Sequence, residues 1–179
     1  MFTELDVLRL ISDRLSAQNI EFMLTGSFAL AFYATPRMTR DLDMVVALTE
    51  QDLTPLVSAL KADFYIDADV ARSAIRSERL FNVLHLESGV KVDFIIRKSS
   101  EYRLVEFARR QPVTLDLIRT WIVSREDLIL SKLVWAKEAN SEMQKRDVRE
   151  LLAGSANMEY IRRWAPQLDV EQLLSELIL

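Results

Sequence analysis

The sequence predicts an α+β protein whose first half mixes strands with helices and whose second half is mostly helical. In residues 1–96, short runs rich in Val, Ile, Leu and Phe alternate with stretches whose apolar residues recur every three or four positions. After Arg97 the helical period dominates. The charge balance changes at the same place, from 9 basic and 14 acidic side chains before it to 14 and 13 from it onward. We therefore expect one unit over residues 1–97 and a mostly helical region over residues 98–179.

Local patterns predict the elements of the first half. Thr3 and Thr49 are typical N-cap residues, because a threonine hydroxyl can accept a hydrogen bond from the first turn of the following helix. Gly26-Ser27 marks a turn, and Pro36 ends a short helix because proline disfavours helical backbone at the residue before it. The predicted order is a helix after Thr3, a strand at 21–25, a helix at 28–34, a strand at 41–48, a helix at 50–62, a short strand at 64–66 followed by a helix, and a hairpin of strands 81–86 and 90–96.

Helical patterns dominate the second half. Ser124 followed by Asp127 resembles a capping box and predicts the start of a helix. Gly154 is typical of a helix end. The predicted order is short strands at 113–115 and 121–123, helices at 124–139 and 141–152, and two short helices at the end of the chain.

Composition excludes several kinds of site. The chain of 179 residues has no cysteine, which excludes disulfides, thiolate metal sites and a cysteine nucleophile. His85 is the single histidine, so a site that needs two imidazoles is excluded, and we expect this histidine to be packed or at a strand edge. The formal net charge of −4 argues against attraction of the whole protein to nucleic acid.

No segment is typical of a membrane or secreted protein. The longest uncharged run, residues 22–36, is shorter than the roughly 20 apolar residues that a membrane-spanning helix needs. The acidic N-terminal residues lack the basic start of a signal peptide. We therefore expect a cytoplasmic protein without a membrane partner.

Two carboxylates stand two positions apart in the strand at residues 41–48. Because side chains alternate across a strand, Asp41 and Asp43 share one face. Their mutual repulsion requires a cation, and hard carboxylate oxygens suit Mg²⁺. The alternative is that both are exposed strand residues near Arg37 and Arg40.

A third aspartate, Asp93, interrupts the strongly apolar strand at 90–96. A carboxylate there is costly unless it is paired or bound to a metal. If this strand lies beside the strand of the first two aspartates, three carboxylates converge and, with substrate phosphates, form a site for two Mg²⁺ ions and in-line phosphoryl transfer. The alternative is that Asp93 pairs with Arg97 or Lys91 on its own strand.

The Gly26-Ser27 turn adds a candidate phosphate site. A glycine between a strand and a helix lets backbone amides approach a phosphate, and the N-terminus of the helix carries partial positive charge. The Ser27 hydroxyl can donate a hydrogen bond to a phosphate oxygen. Alone, such a pair usually marks a turn and an N-cap, but together with three aspartates it indicates nucleotide chemistry.

These motifs resemble those of the nucleotidyltransferases of the DNA polymerase β superfamily. The likeness is greatest to the AbiEii-type toxin nucleotidyltransferases, which pair a Gly-Gly or Gly-Ser turn with an R-x-T-x-D-x-D element and with S-x-E-D-L-I-x-x-K-L and K-D-x-x-D helices. The matching segments are residues 24–31, 37–43, 124–133 and 146–150. Arg146 stands for the lysine of the last helix, and Glu150 stands for its final aspartate.

The resemblance implies a small mixed β-sheet core flanked by helices, with a helical C-terminal region that closes the cleft. It also implies roles for single residues. Asp41 and Asp43 would hold Mg²⁺, and Asp93 would complete the metal site or activate the acceptor. Gly26 and Ser27 would hold the β- and γ-phosphates of an NTP.

Two residues of the helical half complete the implied site. Lys132 would reach the triphosphate, and Asp147 would position Lys132 or the acceptor. Their helices join near Asn140, so the two residues are at similar distances from the connection and can meet across a helical hairpin. The alternatives are that Lys132 is a surface lysine laid along an apolar stripe and that Asp147 forms an exposed pair with Arg146 or Arg149.

The implied function is Mg²⁺-dependent transfer of a nucleoside monophosphate from an NTP to a hydroxyl of tRNA or protein, in a toxin with a cognate antitoxin. One alternative is an antibiotic-modifying nucleotidyltransferase. Another is a non-catalytic module that binds a nucleotide or a partner, against which the intact set of three carboxylates argues.

Two further sets of residues allow a structural or a functional interpretation. A basic run could follow an RNA backbone, although as a solvated helix face it needs no function. Its members are Arg97, Lys98, Arg103, Arg109, Arg110, Arg119 and Arg125. The tryptophans Trp121, Trp135 and Trp164 are expected to fill core or helix contacts rather than to stack on bases.

Overall fold

The computed structural model describes residues 2–36 and 41–178, which form an α+β fold. The described helices are α1 (Glu4–Ala17), α2 (Gly26–Tyr33), α3 (Glu50–Leu60), α4 (Ala68–Ser77), α5 (Glu101–Ala108), α6 (Arg125–Ala139), α7 (Glu142–Leu152), α8 (Met158–Trp164) and α9 (Glu171–Ile178). The described strands are β1 (Phe22–Leu24), β2 (Asp41–Val46), β3 (Phe64–Ile66), β4 (Leu80–His85), β5 (Lys91–Ile96), β6 (Gln111–Leu115) and β7 (Ile118–Ile122). Within these ranges, no helix combines the length and the apolar character needed to cross a membrane.

The described strands form one mixed sheet in the order β3-β4-β5-β2-β1-β7-β6. β2 is antiparallel to β1 on one side and parallel to β5 on the other. β1 also pairs in parallel with β7, which lies about a hundred positions later in the chain. The sheet therefore continues beyond Arg97, and the division of the chain at that residue stays a prediction.

One face of the central strands is closed by an apolar core. Every second residue of β2 and β5 is buried there, namely Leu42, Met44, Val46, Val92, Phe94 and Ile96. Helices α1, α3 and α4 supply the other side of this core. His85 is 2% exposed and lies edge-on to Phe64, so it is a packed histidine, as expected.

The opposite face carries polar residues and is only partly covered. Helix α2 packs on β2, and α6 packs on α2, while α7 and α8 pack on α6. Helix α6 is buried around most of its circumference, and Asp127 and Lys132 are among its buried residues. It therefore occupies the centre of the second helical layer and faces the open part of the sheet.

A buried carboxylate fixes the start of α6. Asp127 is fully buried and accepts hydrogen bonds from the hydroxyls of Ser124, Tyr102 and Tyr160 and from Nε of Arg109. Burial and this carboxylate raise the pKa of Tyr160, so the tyrosine keeps its proton and remains a donor. One carboxylate thus connects α5, α6 and α8.

The helices and strands predicted from the sequence are present, with ends that differ by a few residues. The helix predicted at 28–34 begins at Gly26, because the amide of Ala29 already donates to the carbonyl of Thr25. The β6–β7 hairpin is longer than predicted. Asp116 and Leu117 both have positive φ, which matches a tight two-residue turn and lets the strands pair up to it.

Candidate active site

Strands β2 and β5 bring the three aspartates to one face of the sheet. In their parallel register Asp43 lies opposite Asp93, and Asp41 lies opposite Lys91. These residues alternate along the strands with buried core residues, so they share the open face. The condition on which the sequence argument depended, that the two strands are neighbours, is met.

Lys91 lies between two of these carboxylates. Its Nζ is 3.1 Å from Oδ2 of Asp41 and 3.1 Å from Oδ2 of Asp93. Asn82, which lies opposite Asp93 on β4, donates a further hydrogen bond to Asp93. Pairing of Asp93 with Lys91 was an alternative in the sequence analysis, and the structure has this pair; it also places the three aspartates on one face of the sheet.

Gly26 allows the Asp43 side chain to lie against the turn that opens α2. Its φ of 62° is in the left-handed region that favours glycine. A Cβ at this position would come within 1.9 Å of Oδ2 of Asp43. The backbone amide of Ser27 hydrogen-bonds to the same carboxylate. Backbone conformation and close approach therefore both require glycine here.

The environment of Asp43 disfavours its ionised form. Burial raises the pKa of Asp43, and the charges of Asp93 and Asp41 raise it further, whereas the Ser27 amide and Lys132 act in the opposite direction. An ionised carboxylate with a raised pKa destabilises the fold. A cation bound beside Asp43 would remove this cost.

Lys132 and Asp147 form a buried ion pair between α6 and α7. Nζ of Lys132 is 2.7 Å from Oδ2 of Asp147 and 2.9 Å from Oε1 of Gln144. Lys132 is 2% exposed and Asp147 is 3% exposed, so the interpretation of each as a surface charge is wrong. The two helices pack closely and turn both side chains inward. Sequence reasoning missed Gln144, because a lone glutamine on a polar helix belongs to no motif.

A cleft of about 350 Å³ lies between the open face of the sheet and α6. Asp43, Asp93 and Lys132 all line it. Leu80 and Trp135, which are 53% and 49% exposed, line it as well. The cleft therefore combines a charged part around the carboxylates with apolar surface that can contact a ring or a hydrocarbon group.

The tryptophans differ in their surroundings. Trp164 is 4% exposed and fills the core, as expected. The same expectation is wrong for Trp135, because its position on α6 faces the cleft. Trp121 is 38% exposed and lies against the guanidinium of Arg110.

Much of the basic run is engaged within the fold. Arg103 is bonded to Glu106, Arg109 to Asp127, Arg110 to Glu21, and Arg125 to the carbonyl oxygens of Tyr33 and Leu151. These four side chains therefore do not form a track along which an RNA backbone could run. Arg97 and Lys98 line the cleft instead.

The aspartates suit a hard divalent cation in chemistry, although they do not enclose one as they stand. Oxygen donors from Asp41, Asp43 and Asp93 are the ligands that Mg²⁺ prefers, and since burial and the neighbouring carboxylates raise the pKa of Asp43, a bound cation would favour its ionised form. Within residues 2–36 and 41–178, no three acidic or histidine side chains are close enough together to hold an ion. Lys91 lies between two of the candidate ligands instead.

Part of the motif that precedes the aspartates cannot be described. Arg37 and Thr39 of the R-x-T-x-D-x-D element lie outside the described residues. Glu150, which stands for the last aspartate of the K-D-x-x-D helix, accepts a hydrogen bond of 3.2 Å from the Thr35 hydroxyl. Helix α7 therefore contacts the segment that leads into this element.

The structure resembles solved nucleotidyltransferases, although no protein-family model and no curated protein matches the sequence. The crystal structure of ANT(2'')-Ia in complex with adenylyl-2''-tobramycin matches with a TM-score of 0.60 at 12% identity, over 93% of this chain and 96% of that chain. An antigenic nucleotidyltransferase-like protein from Paracoccidioides brasiliensis matches with a TM-score of 0.55 at 16% identity, over 83% and 74%. The lincomycin-bound lincosamide antibiotic adenylyltransferase LnuA matches with a TM-score of 0.53 at 12% identity, over 80% and 93%. The chain has the nucleotidyltransferase fold.

At these identities the likeness concerns the nucleotidyltransferase fold alone. The roles assigned to the aspartates, to the Gly26-Ser27 turn and to Lys132 stay predictions. The resemblance to the AbiEii-type branch depends on the sequence motifs. What the nucleotidyltransferase fold contributes here is a single cleft that Gly26, Asp43, Asp93 and Lys132 all line.

We expect Gly26→Ala to lower the free energy of unfolding more than Gly89→Ala. Both glycines have positive φ, 62° and 70°, so each alanine carries a backbone cost of about 1–2 kcal/mol. A Cβ at Gly26 also collides with the Asp43 carboxylate, whereas nothing lies within 4 Å of a Cβ at Gly89. Urea unfolding of both variants measures the difference. Equal destabilisation would contradict the close contact at Gly26.

We expect Asp147→Asn to destabilise the protein by about 3–5 kcal/mol, because it leaves the Lys132 ammonium buried without its anionic partner. The double variant Lys132→Met with Asp147→Leu should recover most of this loss, since it removes both buried charges. Lys145→Met is the control, because Lys145 pairs with an exposed glutamate on the same helix, and it should melt close to wild type. Denaturant unfolding of the four proteins tests this, and a double variant no more stable than Asp147→Asn would contradict it.

Proposed function

We propose that this chain is a Mg²⁺-dependent nucleotidyltransferase, which transfers a nucleoside monophosphate from an NTP to an acceptor hydroxyl and releases pyrophosphate. The position of Asp43 carries the proposal. Its carboxylate lies opposite Asp93, against the turn that opens α2, and within the electrostatic influence of Lys132. A triphosphate bound at that turn would have its reacting phosphate beside the carboxylates.

Three groups of this chain would bind the triphosphate. The N-terminal end of α2 carries partial positive charge and has no acidic residue in its own first turn, although the Ser27 amide already bonds to Asp43. Ser27 would donate its hydroxyl to a phosphate oxygen. Lys132, held by Asp147 and Gln144, would add a fixed positive charge on the other side of the cleft. Because these contacts hold the lysine in place, little reorganisation is needed when the nucleotide binds.

Asp41, Asp43 and Asp93 would hold the divalent cations. Bound Mg²⁺ would neutralise charge on the phosphate that is transferred and on the pyrophosphate that leaves. In the alternative role for Asp93, its carboxylate takes the proton of the acceptor hydroxyl. A reaction that consumes NTPs fits a cytoplasmic protein.

The acceptor is a hydroxyl of tRNA, of a protein or of a small molecule. The AbiEii-type motifs at residues 24–43 and 124–150 support a toxin that modifies the 3′ end of tRNA or a protein hydroxyl. The cleft of about 350 Å³, with its apolar Leu80 and Trp135, supports a small acceptor. The structural neighbour in complex with adenylyl-2''-tobramycin also favours that second candidate function.

Labelling distinguishes these acceptors. The protein is incubated with Mg²⁺ and each of the four NTPs labelled at the α-phosphate, together with total tRNA, with cell protein, or with aminoglycosides and lincosamides. We expect label to move from one NTP to one class of acceptor. Binding of an NTP without transfer to any acceptor would instead identify a non-catalytic module. A toxin also requires an antitoxin, so expression of the wild-type chain alone should arrest growth, and Asp43→Asn should relieve the arrest.

We expect Asp43→Asn to abolish transfer without lowering the melting temperature of the metal-free protein. The pKa of Asp43 is raised in the folded state, so the ionised carboxylate opposes folding near neutral pH. The contribution of Asp43 to stability is therefore largest below its unfolded pKa and is lost as the pH rises through its folded pKa. The melting temperature in EDTA, measured from below the unfolded pKa of Asp43 to above its folded pKa, tests the effect on stability. Labelling in Mg²⁺ tests the loss of transfer.

The control is Asp13→Asn, which makes the same change on the exposed face of α1. It should leave transfer and melting unchanged. Normal transfer by Asp43→Asn would rule out a metal role for Asp43. A large drop in its melting temperature would show that the aspartate is structural.

A further inference from the structure

Lys91 lies beside the candidate metal site and contacts two of its three carboxylates. Its Nζ makes contacts of equal length, 3.1 Å, to Asp41 on the neighbouring strand and to Asp93 on its own strand. The register of β2 and β5 places Lys91 directly opposite Asp41, and the alternation of side chains places it on the same face as Asp93. The contact therefore follows from the strand pairing and needs no particular loop conformation.

The contacts of the ammonium and those of a bridging cation exclude each other. A divalent ion held by both Asp41 and Asp93 would compete with the Lys91 ammonium for the same carboxylates. The Lys91 side chain is 37% exposed, so its flexible four-carbon stem can turn into solvent when such an ion arrives. Lys132 also acts on Asp43 through its charge, but its ammonium bonds to Asp147 and Gln144 on α7.

We infer that Lys91 is a built-in counter-ion of the metal site, which bridges Asp41 and Asp93 in the metal-free protein and weakens the binding of divalent cations in the absence of nucleotide. The inference rests on the proposed metal role of the aspartates and deepens it. Lys91 offsets the repulsion among the carboxylates while no metal is bound, and it repels an incoming cation. A triphosphate brings negative oxygens that offset this repulsion, so the cation binds tightly only together with the nucleotide.

The test is the metal affinity of Lys91→Met, which removes the charge and keeps a side chain of similar length. Metal-stripped protein without nucleotide is titrated with MgCl₂ by calorimetry and with MnCl₂ by electron paramagnetic resonance. We expect Lys91→Met to bind either ion at least about tenfold more tightly than wild type, because the wild-type ammonium must first give up its two carboxylate contacts. Lys91→Arg keeps the charge and should stay within about twofold of wild type.

A matched control removes a paired lysine elsewhere on the surface. Lys137 on α6 pairs with Asp169, on a hollow distinct from the cleft, and Lys137→Met changes the net charge by the same amount. Its metal affinity should equal that of wild type. In EDTA, Lys91→Met should melt below wild type, and Mg²⁺ should raise its melting temperature more than it raises that of wild type. A purely structural cross-strand pair would lower the melting temperature without tightening metal binding.

The outcomes separate this inference from the proposed function. If Lys91→Met binds the ions no more tightly than wild type, or neither protein binds them measurably, the inference is overturned. If Lys91→Met binds tightly and the added substitution Asp43→Asn does not weaken that binding, the ion lies elsewhere and the metal role of Asp43 fails. None of these measurements depends on transferase activity. They therefore test the role of Lys91 even if the protein transfers no nucleotide.

Discussion

Two parallel strands hold Asp43 directly opposite Asp93, and the like charges of these side chains repel each other. Hydrogen-bond donors and positive charges near the cleft partly offset that repulsion. Lys91 and Asn82 bond to Asp93, the Ser27 amide bonds to Asp43, and Lys132 adds positive charge from α6. The carboxylates are thus kept on one face at a cost in stability. Natural proteins accept such a cost at sites where function requires it.

The second helical layer contains buried polar groups that are bonded to one another across helices. Asp127 connects three helices through its hydroxyl and guanidinium partners, and Glu106 is bonded to Arg103 and Ser131. Such networks favour one arrangement of the helices, because any shift would leave a buried charge without its partner. Since α6 carries Lys132 as well as Asp127, the network that fixes the start of this helix also fixes the lysine relative to the sheet.

Local patterns allowed much of the fold and part of the candidate site to be predicted. Alternation along β2 and β5 placed the aspartates on common faces, and helical spacing brought Lys132 to Asp147. That β2 and β5 are neighbouring strands could only be assumed from the sequence, because the order of strands in a sheet depends on contacts between distant segments. The surroundings of Trp135 were missed, since α6 is apolar on several sides and no single stripe shows which side meets the cleft.

Long-range partners were equally inaccessible from the sequence. Arg110 pairs with Glu21, 89 positions away, so the basic run looked continuous in the sequence although its members are engaged separately. Gly26 was recognised as a turn, but its contact with Asp43 depends on how α2 packs on β2. Lys91 was recognised as a partner for Asp93, while its second bond to Asp41 required the strand register.

The parallel pairing of β1 with β7 has a consequence for synthesis of the chain on the ribosome. β1 is complete at Leu24, but the strand that covers its outer edge ends at Ile122. Nearly a hundred residues must therefore emerge before that edge is paired, and during this interval its backbone groups can associate with other chains. A fragment that stops near Arg97 lacks β7, so the same edge of β1 would stay unpaired in it. On the ribosome this edge therefore stays open until the β6–β7 hairpin has left the exit tunnel.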